Sequence, residues 1–161
     1  MSQYTSTGLI GANLASTSTT QIFPLGMEEF GIGTNGIGAT FMYVKAASAI
    51  TAFDIAKIDD DFTIASLTTT ISGSEPTACG AAQIAFATNE YGWVAVKGRF
   101  KVNALTLCVA DVKLYTTATA GAVDDTATDL IQGLKLLTTV GGATAATEAY
   151  ASTYMVTNGQ D

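Results

Sequence analysis

The chain has no histidine. That removes the side chain that most often serves as a general base near neutral pH, the Ser–His and Cys–His nucleophile pairs, and most zinc sites. Charge is also scarce, with Asp, Glu, Lys and Arg making up 13% of residues, about half the usual share. Seven basic residues stand against 14 acidic ones, for a net charge of -7. This balance argues against general nucleic-acid binding, which needs a net or strongly localised positive field. There are only two cysteines, too few for a disulfide scaffold. No run approaches the ~20 consecutive apolar residues of a membrane span. The opening residues, MSQYTSTGLIG, show neither a cationic start nor a sustained apolar stretch, so no signal peptide is expected and synthesis in a cytoplasm is. No catalytic residue, cofactor or metal is assigned.

What fills the sequence is Ala, Thr and Gly within a 48% hydrophobic composition over 161 residues. That length buries a real core without cross-links and makes one domain, with or without an arm. Thr favours strands and Gly marks turns, so the composition leans to β. A soluble monomer with so few charges is short of solvating surface, which suggests that partners cover part of it.

The pattern divides near residue 39. Residues 2–27 carry no charge, and QIFPLGMEEFGIGTNGIG, at 21–38, has neither a 2.0 nor a 3.6 period. Residues 1–38 are therefore expected to be an extended N-terminal arm that orders on a neighbour, anchored by Ile22, Phe23, Pro24, Leu25, Met27 and Phe30. The competing expectation is a segment folded back on its own domain. From 39 to 161, short alternating runs are separated by turn signals. Strands are expected at 40–46, 53–58, 62–71, 81–88, 91–97, 99–107, 112–117, 130–138 and 149–156. With no amphipathic helix between them, the fold class is all-β, a single β-barrel or β-tulip/sandwich-like domain.

Within YGWVAVKGRFKV, at 91–102, Val94, Val96, Phe100 and Val102 alternate with Tyr91, Trp93, Lys97, Arg99 and Lys101. Three of the seven basic residues thus fall on one expected strand face beside two aromatics. The face reads as a solvated outer surface or as an oligomer or partner interface. Three cations are few for counterion-driven nucleic-acid binding. Gly98 marks a bulge or sharp bend.

GIGTNG at 31–36 matches G-x-G-x-x-G, with Asp54 further on, but lacks the preceding strand and following helix that a dinucleotide site needs. The runs Asp59–Asp61 and Asp124, Asp125, Asp129 lack calcium-loop spacing and read as solvated turns. Cys79 and Cys108 read as small buried hydrophobes, with pairing left open.

PTACGAAQIAFATNEYGWVAVKGRFKV and CVADVKLYTTATAGAVDDTATDLIQGLKLLTT, within 76–139, resemble small structural proteins of tailed bacteriophages, of the capsid decoration or cement type. The resemblance implies a structural virion protein on the outer surface of the capsid. It would be a homotrimer whose partner is the major capsid protein and which clamps neighbouring capsid subunits. Residues before 39 carry no part of it. The alternative is a carbohydrate- or receptor-binding β module with Tyr91, Trp93 and Tyr115 as an exposed stacking platform. A β-barrel enzyme using Asp, Glu or Lys is a third reading, marked by a carboxylate or lysine of strongly perturbed pKa in a cleft.

Overall fold

A computed structural model describes residues 4–6, 8, 12–33, 36–72, 76–126 and 128–157. Among these, eleven strands and one single-turn helix are found. The strands are β1 (Tyr4–Ser6), β2 (Glu28–Gly33), β3 (Gly38–Ala46), β4 (Ile55–Ile58), β5 (Thr63–Ser66), β6 (Thr77–Ala82), β7 (Tyr91–Ala104), β8 (Leu114–Thr116), β9 (Val123–Asp124), β10 (Leu130–Leu136) and β11 (Ala145–Thr157). The helix, α1, is Thr69–Ser72. The chain is thus predominantly β, as expected. The two runs on either side of Gly98 are one strand, the longest in the fold, while 83–88 lies outside β6 and 67–71 outside β5.

The expectation of a closed barrel is corrected. The strands form one sheet in the order β1-β2-β3-β5-β4-β6-β11-β10-β8-β9-β7, with further pairings of β3, β6 and β11 to β7. The sheet therefore branches at β7 instead of closing. The physical reason lies in β7 itself. Thr40 pairs with Lys97 but Phe41 pairs with Ala95, so Val96 is an extra residue, and Gly98 follows with φ +101. A bulge and a positive φ bend a strand and let its two halves take different neighbours. Before the bend β7 pairs with β3 and β6, and after it with β11 and β9.

The bend also exchanges the two faces of the strand. Trp93 and Ala95 enter one hydrophobic cluster, shared with Phe41, Tyr43, Leu114 and Met155. Val94 and Val96 enter a second cluster on the other side, with Val44, Ile58, Ile64 and Phe86. Beyond Gly98 it is the even positions Phe100, Val102 and Ala104 that return to the first cluster. One inserted residue shifts the period-2 pattern by one, which is why simple alternation through 91–102 misplaces half the strand.

The extended arm is not confirmed. β1 pairs with β2, and β2 with β3, so the described part of 1–38 is continuous with the main sheet. The 38/39 division falls inside β3. Leu14 is buried in the first cluster, and Ser18 and Tyr91 exchange both backbone hydrogen bonds at 2.9 and 2.8 Å. Tyr4 packs edge-on against Phe41 at 4.8 Å, and its hydroxyl donates to the Arg99 carbonyl at 2.9 Å. Among the described residues of this charge-free segment up to 27, Leu14 is buried and the others are half-buried or exposed.

Asp54, the residue at ribose-acid spacing, is a structural node. It is buried and accepts hydrogen bonds from Thr51 N–H at 3.2 Å, Ser66 Oγ at 3.3 Å and Asn103 Nδ2 at 2.9 Å. One carboxylate thereby ties the β4 entrance to β5 and β7. Asp54→Ala leaves those donors unsatisfied and is expected to cost about 3 kcal/mol, measured by urea denaturation. A cost within experimental error of zero would remove Asp54 from this role.

Candidate interaction face

The six residues expected to anchor the N-terminal segment divide in two. Phe23 packs at 5.4 Å from both Tyr43 and Trp93, and Leu25 and Met27 are partly buried against the first cluster. These three hold the segment onto its own domain. Ile22, Pro24 and Phe30 are exposed, although the Ile22 N–H donates to the Tyr43 hydroxyl at 3.1 Å.

The residues singled out on β7 divide at the bend as well. Trp93 is only 1% exposed and lies 5.0 Å from Tyr43. Tyr91 stacks on Tyr43 at 6.4 Å and 17°, with the Lys45 ammonium 5.7 Å from its ring. Tyr115 is half-buried in β8. The expected exposed stacking platform of Tyr91, Trp93 and Tyr115 is therefore not formed. Nor do the two β7 aromatics share a face with the basic trio, because the bulge lies between them.

Lys97, Arg99 and Lys101 instead sit on an outer face built by β2, β3, β7 and β11. Cross-strand register puts Phe30 opposite Thr40, and Thr40 opposite Lys97. On the other side Arg99 stands opposite Tyr150, and Lys101 opposite Glu148. The Lys97 ammonium lies 6.0 Å from the Tyr154 ring, a cation–π contact that holds both side chains. The Tyr154 hydroxyl donates to Glu28 at 2.9 Å. That hydrogen bond, more than burial, holds the phenol above its ordinary pKa. Arg99 Nε pairs with Glu148 Oε2 at 3.0 Å, and Lys101 lies 5.9 Å from the Phe53 ring.

Phe30, Ile32, Tyr150 and Tyr154 are all exposed here, Tyr154 at 47%. Aromatics beside cations and satisfied polar groups form the usual composition of a docking surface. Register thus brings Phe30 and the basic trio, two separate expectations, to one face. The sequence reading missed Tyr150, Tyr154, Glu148 and Glu28. Their signal was present in β11, where Glu148, Tyr150, Ser152 and Tyr154 alternate with Ala149, Ala151 and Met155.

Chemistry elsewhere is muted among the described residues. Cys79 and Cys108 are free and buried. Desolvation pushes their thiols up to about 12 and about 11, with Asp125 and Asp124 adding to the shift at Cys108. Both are protonated at neutral pH and poor nucleophiles. Cys108, Asp124 and Asp125 bring ligand atoms within 4.8 Å of one another, but Asp125 Oδ2 already accepts from Val109 N–H at 3.1 Å. Asp61 accepts from the Thr63 hydroxyl and amide, which holds its carboxyl below the usual range. No described helix is long and apolar enough to cross a membrane. Comparison with protein families, characterised proteins and solved structures finds no match to this chain.

Proposed function

We propose that this is a structural virion protein of the capsid decoration type, acting as a clamp on the outside of an icosahedral head, with the major capsid protein as partner and no catalytic role. The observation that carries the reading is the outer face of exposed Phe30, Tyr150, Tyr154 and Lys97 with half-buried Arg99 on a rigid β scaffold. The face is pre-ordered by its own ion pair and cation–π contact, so docking costs little side-chain entropy. The resemblance of residues 76–139 to phage decoration proteins supports the same reading, and with it a homotrimer. Several moderate contacts made at once by an oligomer give a clamp its grip through effective concentration.

The test is co-sedimentation with DNA-filled capsids that lack the protein. Wild type is expected to pellet with them, whereas Tyr154→Ala with Lys97→Glu loses attachment by about 100-fold and keeps its thermal midpoint. Wild type that remains in the supernatant overturns the capsid reading, and a double variant that still pellets overturns the assignment of this face.

A further inference from the structure

The loop after β7 is an apolar projection on a rigid base. Leu107 is 68% exposed, and Val109 and Val112 are exposed beside it. Between them Cys108 points inward and is fully buried. The loop backbone is pinned from Leu107 to Asp111: Leu107 N–H donates to the Gly141 carbonyl at 3.0 Å, Asp111 N–H to that of Leu136 at 3.1 Å, and the Cys108 carbonyl accepts from Val140 N–H at 2.9 Å. Ala110 N–H donates to Thr139 Oγ1 at 3.1 Å. Leu107 itself is held at φ +65, a conformation unfavourable for a leucine. A chain this well tied, and strained at its tip, keeps its aliphatic side chains in water at a cost that a docked partner would recover. At the end of the loop stands Lys113, an exposed cation with no ion pair or hydrogen bond among the described residues.

The complementary shape lies elsewhere on the same molecule. A groove of about 740 Å³ opens between β3, β4, β5 and the start of β6, with Met42, Ile58, Phe62 and Pro76 as its apolar lining. One side is the acidic turn Asp59–Asp61. Lys57 neutralises Asp59 at 2.6 Å, Asp61 is hydrogen-bonded and ionised, and Asp60 is exposed without an ion pair or hydrogen bond among the described residues. The groove thus offers apolar walls and unspent negative charge, and the loop offers aliphatic side chains and one unspent positive charge.

We infer that the groove of one copy receives the Leu107–Lys113 loop of a second copy, with Lys113 against Asp60. Such a contact is heterologous: each molecule gives its loop to one neighbour and its groove to another. It accounts for a nearly charge-poor surface that includes a projecting leucine. It is independent of what the outer face binds.

The test uses the purified full chain, without capsids, so that its outcome is separate from that of the capsid experiment. Wild type is expected to self-associate by sedimentation equilibrium at low salt. Lys113→Asp and Asp60→Lys, both exposed and without effect on the far-ultraviolet spectrum, are each expected to weaken association about tenfold or more. Combining the two changes in one chain restores it, since every loop then meets a groove of opposite charge. Leu107→Asp weakens it as well. A wild type that stays monomeric, single variants that associate like wild type, or a double variant that does not recover each overturn the inference.

Discussion

A chain lacking residues 2–30 is expected to lose cooperative folding, and not merely its attachment to a partner. The deletion removes Leu14 and Phe23 from the first cluster, the β1 edge with its Tyr4–Phe41 contact, and the first half of β2. Each large apolar side chain taken from such a site is worth about 2–3 kcal/mol. The loss also opens water access to Trp93 and Tyr43, which Phe23 covers. Their sum, on the order of 5 kcal/mol or more, reaches the lower end of a domain's whole stability. Trp93 is the only tryptophan in the chain, so its emission reports the outcome directly. Red-shifted emission with loss of the near-ultraviolet signal is expected. Blue-shifted emission and a sharp unfolding transition in the truncated chain would instead make the segment a separable arm.

This result bears on how much could be read in advance. The β class was legible because strand-forming runs with turn signals between them leave a period-2 imprint, and β3, β8, β10 and β11 lie where that imprint placed them. The N-terminal segment left none. Its strands are short, its longest connection is irregular, and what fixes it are single contacts made far along the chain, such as Leu14 in the core and Ser18 against Tyr91. A segment held by long-range packing looks the same in sequence as one held by another molecule. The interaction face was half legible for a similar reason. The cations on β7 and the exposed Phe30 carry their own signal, whereas their meeting with Tyr150 and Tyr154 depends on strand register that no local pattern specifies. Asp54 was legible only in the negative. Its spacing after GIGTNG lacked the context of a ligand site, and its three hydrogen bonds to its own chain depend on contacts that no local pattern shows.

The second large effect is expected at Gly98. Its φ of +101 is one that side-chain-bearing residues rarely adopt, and a Cβ there would stand 2.6 Å from the Gly38 carbonyl oxygen and 2.7 Å from the Ala39 Cα. Both obstacles are backbone atoms of the paired strand β3, so no side-chain rotation relieves them. Gly98→Ala is therefore expected to cost about 3–5 kcal/mol, combining dihedral strain with a steric clash in a packed ladder. Gly36 provides the control. It too has a positive φ, +74, but among the described residues nothing lies within 4 Å of a Cβ placed on it, so Gly36→Ala should cost only about 1 kcal/mol from the dihedral alone. The difference between the two, measured by urea denaturation, isolates the close approach of β3 to β7. Equal costs would mean that β3 yields and that the bend is not fixed by this contact. The consequence reaches the outer face, because the bend is what places Phe100 and Val102 in the core and Lys97, Arg99 and Lys101 on the other side. A residue at 98 that straightened β7 would bury cations or expose Phe100. Either burial of unpaired charge or exposure of that ring is costly enough that loss of the fold, not a rearranged face, is the expected outcome.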